Sequence, residues 1–392
     1  MKTLLFFPKL EPHKDFHYMP ISALAVASEL LAQGHEVTIW DNRVYHDLTL
    51  YKTVENIDQI MISAYTGYQL SQAYRFAKDT KEFFPDKKII LGGPHATALP
   101  EQTLASPYVD EVVQGDIDTG ARQLPYWLID HKKYINPETE RFIYISSYGC
   151  PGICTFCATK NRRKYLPLPL ERVETDIDYL MAQYPYKEAV FFDATLFTMP
   201  KRVGFIAGLM DKHNLRWIAD ARAPEIAYKG NGFLSLCTES GLQQLTIGLE
   251  SGSPRIIDMM KKGKNHLEHY LQATEKLKQF PIKQVSGVVF GCPGETVDDL
   301  RQTIDYIKRI KEINSNFFIS TTFYKALPDT LMSDMAAKYG YKQPDSLEAW
   351  AELGAENHYS YNEFENVPWL LESDKYRAIY EDFKRENADL FV

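Results

Sequence analysis

Cys150, Cys154 and Cys157 lie in the run SYGCPGICTFCATKNRR at the end of an apolar stretch, and the other two cysteines, Cys237 and Cys292, are far from it. A structural zinc site or a ferredoxin-type cluster takes four protein ligands, so three thiolates in one loop suit an iron–sulfur cluster with one iron left open. An open iron is a site for chemistry. Two plainer readings stand beside it: a zinc knuckle completed by a distant histidine, and three free thiols.

Other side chains extend the list. Arg222, in RWIADARAPE, falls at the carboxyl end of a strand-like run, where an otherwise costly charge points into an open mouth and could hold a carboxylate. Asp193, in FFDATLFTMPKRV, has a similar place, although a solitary aspartate there also caps the next helix. The basic run at 160–164 follows the cysteine loop and reads as a solvated face or as a neutraliser of an anionic ligand. Cys237 and Cys292 read as small buried thiols.

Such residues need a scaffold that brings several loops together. Residues 3–7, 37–40, 59–64, 88–91 and 109–113 read as strands, with helices over 21–33, 70–84 and 100–106. A second alternation follows, with strands at 142–146, 189–192, 216–219, 244–247, 284–290 and 317–321. Strands and helices in alternation imply parallel sheets whose ligand crevices lie at the carboxyl ends of the strands. The expected fold class is α/β: a Rossmann-like domain over 1–125, a polar linker over 126–141, a partial (β/α)6 barrel over 142–331 and a small helical extension over 332–392. The extension contains the amphipathic stretch NVPWLLESDKYRAIYEDFKRE and is expected to pack against the barrel or cover its mouth.

At 392 residues the chain has room for two full cores, and 45% hydrophobic with 24% charged residues describes a globular protein. A net charge of -8 argues against nucleic acid as a general partner. No run approaches a membrane span, and the opening MKTLLFFPKLEP is too short for a signal core. Clustered thiols fit a reducing compartment, so a cytoplasmic location is expected.

The CxxxCxxC loop, with Phe156 before its last cysteine, resembles the radical SAM superfamily. So do GLESGSPRIIDMMKKGK from Gly248 and VVFGCPGETVDDLRQTIDYIK from Val288. The resemblance implies a 4Fe-4S cluster on Cys150, Cys154 and Cys157, with S-adenosyl-L-methionine (SAM) chelated to the open iron and cleaved to a 5'-deoxyadenosyl radical. It implies that Gly291, Pro293 and Gly294 flank the adenine, that Glu250 and Ser251 lie near the ribose or amino acid moiety, and that Phe156 packs beside cluster and adenine. Asp193 matches the first acid of the family's second-strand pattern, whose second acid is here Ala194. The carboxylate role of Arg222 then falls on SAM or on a substrate acid.

The first domain is similar to the cobalamin-binding domain fused ahead of the barrel in one radical SAM subfamily, through PISALAVASELLAQGHEV, KKIILGGPHATALPEQTL and YVDEVVQGDID. There Gly92 and Gly93 would let the backbone lie against the cofactor's tail, with Ser63, Thr66, His95 and Thr97 as polar neighbours and Gly115 and Asp116 at the next strand end. GDID stands where the family commonly has GEGE. His17, in DFHYMP, is the possible axial ligand of cobalt; Pro20 replaces the glycine of the ligating motif, and the subfamily usually leaves that face open. Tyr65 and Tyr68, in SAYTGYQ, are the residues expected to cover it.

The resulting expectation is a cobalamin-dependent radical SAM enzyme that methylates an unactivated carbon of a small-molecule or peptide substrate, with flavodoxin or ferredoxin as electron donor. Rearrangement, cyclisation or oxidation without methyl transfer is the alternative, as is a first domain that no longer binds cobalamin.

Overall fold

The computed structural model describes residues 1–11, 18–45, 49–115, 117, 119–120, 122–158, 165–263, 265–355, 367–370 and 372–392. His17, Asp116 and the basic run at 160–164 lie outside the described residues.

The first sheet is made of β1 (Lys2–Phe7), β2 (Glu36–Asp41), β3 (Gln59–Ser63), β4 (Lys88–Gly92) and β5 (Glu111–Val112), in the order β2-β1-β3-β4-β5. All neighbours are parallel. Helices α1 (Ile21–Ala32), α2 (Thr49–Glu55), α3 (Tyr68–Phe83), α4 (Gly93–Ala98) and α5 (Pro100–Leu104) connect them. Apolar runs such as Leu4–Phe7 are buried on both faces, which is why they do not alternate with polar residues. The strand order reverses between β1 and β3, and a doubly wound sheet opens a crevice at that point.

The second sheet runs β13-β12-β11-β10-β9-β6. Its strands are β6 (Arg141–Tyr144), β9 (Glu188–Phe191), β10 (Arg216–Ala221), β11 (Leu242–Ile247), β12 (Lys283–Phe290) and β13 (Phe317–Phe323), again parallel. An antiparallel pair, β7 (Ser147–Tyr148) and β8 (Leu166–Pro167), brackets the cysteine loop between β6 and α6 (Leu170–Gln183). The other barrel helices are α7 (Pro200–Lys212), α8 (Ala223–Ala227), α9 (Asn231–Glu239), α10 (Pro254–Met259), α11 (His266–Leu277) and α12 (Val297–Ile313). Six strands leave the barrel open between β6 and β13.

The two sheets share one apolar core, which runs from Leu5, Phe7 and Leu24 to Phe191, Trp217 and Phe290. Tyr126 and Tyr134, in the segment between the sheets, are buried in it. That segment is polar in sequence, but its tyrosines anchor it.

The extension carries α13 (Leu331–Ala337), α14 (Leu347–Ala355) and α15 (Ser373–Glu386). Helix α15 buries Tyr376, Tyr380 and Phe383 toward α12 and the barrel. Helix α14 instead lies on α3 of the first domain, where Leu347 and Trp350 complete the core on that sheet's outer face. Gly354 passes so close to the Gly67 backbone that a Cβ would collide with it. The extension thus touches both domains, because its apolar residues fall in two separate helices with different partners.

Candidate active site between the two sheets

A crevice of about 290 Å³ opens where the carboxyl ends of the two sheets face each other. From the first domain come Phe7, Ser63, Tyr65, Gly92, Gly93 and Gly115; from the barrel come Ile145, Ser147, Tyr148, Gly149, Phe192 and Ala194. The last residues of the barrel wall lead into the cysteine loop.

That loop is held from both sides. Asp193 is fully buried and accepts from the Ser146 amide at 3.0 Å, from Ser146 Oγ at 2.9 Å and from Ser147 Oγ. Burial pushes its carboxyl up, while these donors and Arg202 oppose the shift. Its oxygens therefore brace the start of the loop. At the far side the Thr155 amide donates to the Met260 carbonyl at 3.0 Å and Thr155 Oγ1 to the Met259 carbonyl at 3.0 Å. The Thr155 carbonyl in turn accepts from the Met332 amide at 3.1 Å. Thr155 carries no signal in sequence beyond its place between two cysteines.

The three cysteines are half-buried. The Gly152 amide donates to Cys150 Sγ at 3.3 Å, and a Cβ at Gly152 would stand 3.3 Å from that sulfur and 3.8 Å from Cys154 Sγ. A bare glycine inside the loop keeps the space beside the sulfurs open. Among the described residues no three His, Cys, Asp or Glu side chains converge on a single ion. Cys237 and Cys292 are completely buried. Phe156 packs against the small core of Ile256, Met260, Cys292 and Trp369.

Opposite the loop, Glu250 has a φ of 65° and accepts from Lys262 Nζ at 2.9 Å. A side chain at Gly248 would occupy the position of that ion pair. Burial disfavours the Lys262 charge, but Glu250 and Cys154 outweigh it and the amine is held above its ordinary value. Arg222, half-buried at the head of α8, lies near enough to lower the proton affinity of Lys262 and His266. His266 is held at about 3, by burial first and by Lys262 second, so its neutral ring donates through Nε2 to the Leu249 carbonyl at 3.1 Å. Ser251 is buried and bonds Thr303 Oγ1 at 2.9 Å, which ties the motif to α12. Lys262 was missed by sequence reasoning even though it lies within the quoted run.

The glycine turn after β12 is tied to the extension. Gly291, with a φ of 68°, donates its amide to Tyr376 Oη at 3.1 Å and accepts from Trp369 Nε1 at 2.7 Å. Gly294, with a φ of 73°, lies under the Tyr339 hydroxyl, which a Cβ there would displace. Glu295 accepts from the Cys292 amide at 2.8 Å, and burial pushes its carboxyl up to about 7.

In the first domain, a Cβ at Gly93 would meet Ser63 Oγ at 2.5 Å and the Ala64 amide at 2.9 Å, and its φ is 85°. Glycine is therefore required where this strand end packs against the end of β3, and Gly92, Gly93 and Gly115 line the crevice. Thr97 Oγ1 donates to the Gly93 carbonyl at 2.8 Å and accepts from the Gly115 amide at 3.0 Å, so it braces the two glycine turns. His95 is buried, bonded to Thr66 Oγ1 at 2.9 Å, edge-on to Trp350 and held by burial at about 4. Neither Thr66, His95, Thr97 nor Tyr68 is among the residues that line the crevice, whereas Tyr65 is exposed on its rim.

A family model of the radical SAM superfamily matches residues 144–307, and one of the B12 binding domain matches residues 14–124. The barrel thus carries a radical SAM domain, and a B12-binding domain precedes it. The chain is 24% identical over 356 residues to an uncharacterised methyltransferase of Pyrococcus horikoshii, covering 78% of this chain and 76% of that protein. It is also 24% identical over 330 residues to the bacteriochlorophyllide d C-12(1)-methyltransferase of Chlorobaculum tepidum, covering 74% and 68%. The fold is shared with the radical S-adenosylmethionine methyltransferase TsrM of Kitasatospora setae, in a structure with tryptophan substrate and a SAM analog bound. That match has a TM-score of 0.71 at 14% identity and covers 100% of this chain and 90% of that one. Among the described residues no helix is long and apolar enough to cross a membrane.

Proposed function

We propose that the chain is a cobalamin-dependent radical SAM methyltransferase acting on an unactivated carbon of a small-molecule or peptide substrate. The observation that carries this reading is the crevice itself, one wall of which includes the glycine-bearing strand ends of the first sheet and the other wall of which leads into the three-cysteine loop. The methyltransferase names of the two relatives support it. Once bound, the cluster with SAM supplies one-electron cleavage of the sulfonium, and cobalamin supplies a methyl carrier.

The chain's own residues position and shield. Cys150, Cys154 and Cys157 would hold the cluster. Lys262 and Glu250 present an ammonium and a carboxylate beside it, complementary to the carboxylate and amino groups of SAM. Arg222 adds a second cation on that side. The Gly291 to Gly294 turn, fixed by Trp369 and Tyr376, offers a flat backbone for the adenine. Ser63, Gly92, Gly93 and Gly115 would receive the cobalamin tail, and Tyr65 the lower face of the corrin. Ile145 and Phe192, with Met61 and Ile62 across from them, keep water from the reacting centre. An electron donor such as flavodoxin or ferredoxin and a cytoplasmic setting complete the proposal.

The test is anaerobic reconstitution with iron, sulfide and hydroxocobalamin, followed by reductant and SAM with each candidate substrate. Methyl transfer requires S-adenosylhomocysteine and 5'-deoxyadenosine together. Formation of 5'-deoxyadenosine alone would favour radical chemistry without methyl transfer.

A further inference from the structure

The barrel lumen contains an acid that the proposed chemistry does not use. On β10, Trp217, Ala219 and Ala221 are buried toward the helices, so Ile218 and Asp220 face the lumen. Asp220 pairs across the sheet with Thr246 of β11. On its other side, β9 runs in register with Val190 opposite Ile218 and Phe191 opposite Ala219, so one step further Phe192 stands beside Asp220.

Phe192 is 54% exposed, although it belongs to a parallel barrel whose other aromatic residues are mostly covered. It lines the crevice shared with the first domain, as does Ile145, the residue that follows β6. Asp220 and Thr246 do not line the crevice themselves; by register the partly exposed Asp220 stands on the lumen side next to Phe192, so a flat apolar surface and a carboxyl group are neighbours there. The groups acting on Asp220 among the described residues are Thr246, through a hydrogen bond, and the charge of Asp193; neither is a cation. Burial first, with Asp193 adding to it, pushes the carboxyl up to about 7. A carboxylate withdrawn from water without a counter-charge is costly, and a ligand that supplies the charge recovers that cost.

We propose that Phe192, Asp220 and Thr246 form the substrate subsite, and that it takes a flat apolar ring carrying an amine, the ring against Phe192 and the ammonium against Asp220. This assignment rests on the reading of the crevice as the reaction site. Thr246 orients the carboxylate from the side through its hydrogen bond.

Benzylamine and benzyl alcohol, two probes of the same shape and different charge, separate the elements of the proposal. Their binding to the reconstituted holoenzyme is measured by calorimetry at about pH 8, where the carboxyl is ionised and the amine protonated. The wild-type protein should bind benzylamine about tenfold more tightly than benzyl alcohol. Asp220→Asn should remove that preference, and Phe192→Ala should weaken both probes. Equal binding of the two probes, no binding of either, or a preference that survives in Asp220→Asn would overturn the proposal. Iron and cobalt contents are measured in the same samples: intact contents with no preference refute the subsite alone, whereas a wild-type protein that takes up neither metal refutes the functional reading beneath it.

Discussion

Trp369 donates its indole N–H to the Gly291 carbonyl at 2.7 Å, joining the extension to the glycine turn that follows β12. Tyr376 accepts from the amide of the same glycine. Both backbone polar groups of Gly291 are thus fixed by residues 78 and 85 positions later in the chain.

Replacing Trp369 by Phe keeps most of the ring and removes the donor, leaving a buried carbonyl without it. The expected cost is about 1 kcal/mol, read from the midpoint of urea unfolding. SAM affinity should fall as well, because the turn loses one of its two ties. Unchanged stability and affinity would show that Trp369 only fills space.

The Glu250–Lys262 pair predicts a larger effect. Lys262→Met leaves a carboxylate buried without its partner, which costs about 3 kcal/mol. Adding Glu250→Gln should restore most of that stability without restoring SAM cleavage. Denaturant unfolding reports the first quantity and 5'-deoxyadenosine formation the second. A single variant as stable as the wild type would show the pair to be solvated.

Gly93→Ala introduces a Cβ 2.5 Å from Ser63 Oγ at a φ of 85°. The expected loss is about 1–3 kcal/mol, with cobalt retention falling and iron content unchanged. Gly34→Ala is the control, since Gly34 has a φ of 80° and open space around it. It bears the backbone strain alone and should keep its cobalt.

Much of this arrangement was legible in the sequence, and the missing parts share one cause. Strand positions followed from apolar runs between turn residues, and the cysteine spacing pointed to the loop. Side-chain direction did not follow. Asp193 and Ser251 lie inside recognisable motifs, yet their atoms are engaged by Ser146, Ser147 and Thr303, which are partners set by tertiary packing. Thr155 and Lys262 drew no attention because each matters through a neighbour brought in by another loop. The seat of α14 on the first domain was likewise unreadable, since an amphipathic helix does not name the surface it covers.

Glu295 predicts a pH dependence. Its carboxyl is raised from 4.5 to about 7 by burial, against the hydrogen bond from the Cys292 amide. The folded state therefore holds a proton that the unfolded state releases near the ordinary value. Stability from this group is complete below about pH 4.5 and is lost as pH rises through about 7, on the order of 3 kcal/mol in all. Glu295→Gln should abolish that loss, so the difference in stability between variant and wild type should grow from about pH 5.5 to 8. A difference that stays constant over this range would refute the assignment.

The central claim, one crevice shared by the two domains' cofactors, is tested most directly by electron paramagnetic resonance. The spin relaxation of bound cob(II)alamin is recorded with the cluster oxidised and then reduced. A reduced cluster held across the crevice should speed that relaxation in the wild type. The effect should be absent when Cys150, Cys154 and Cys157 are all replaced by alanine. Cobalamin that binds but relaxes identically in every sample would contradict the account.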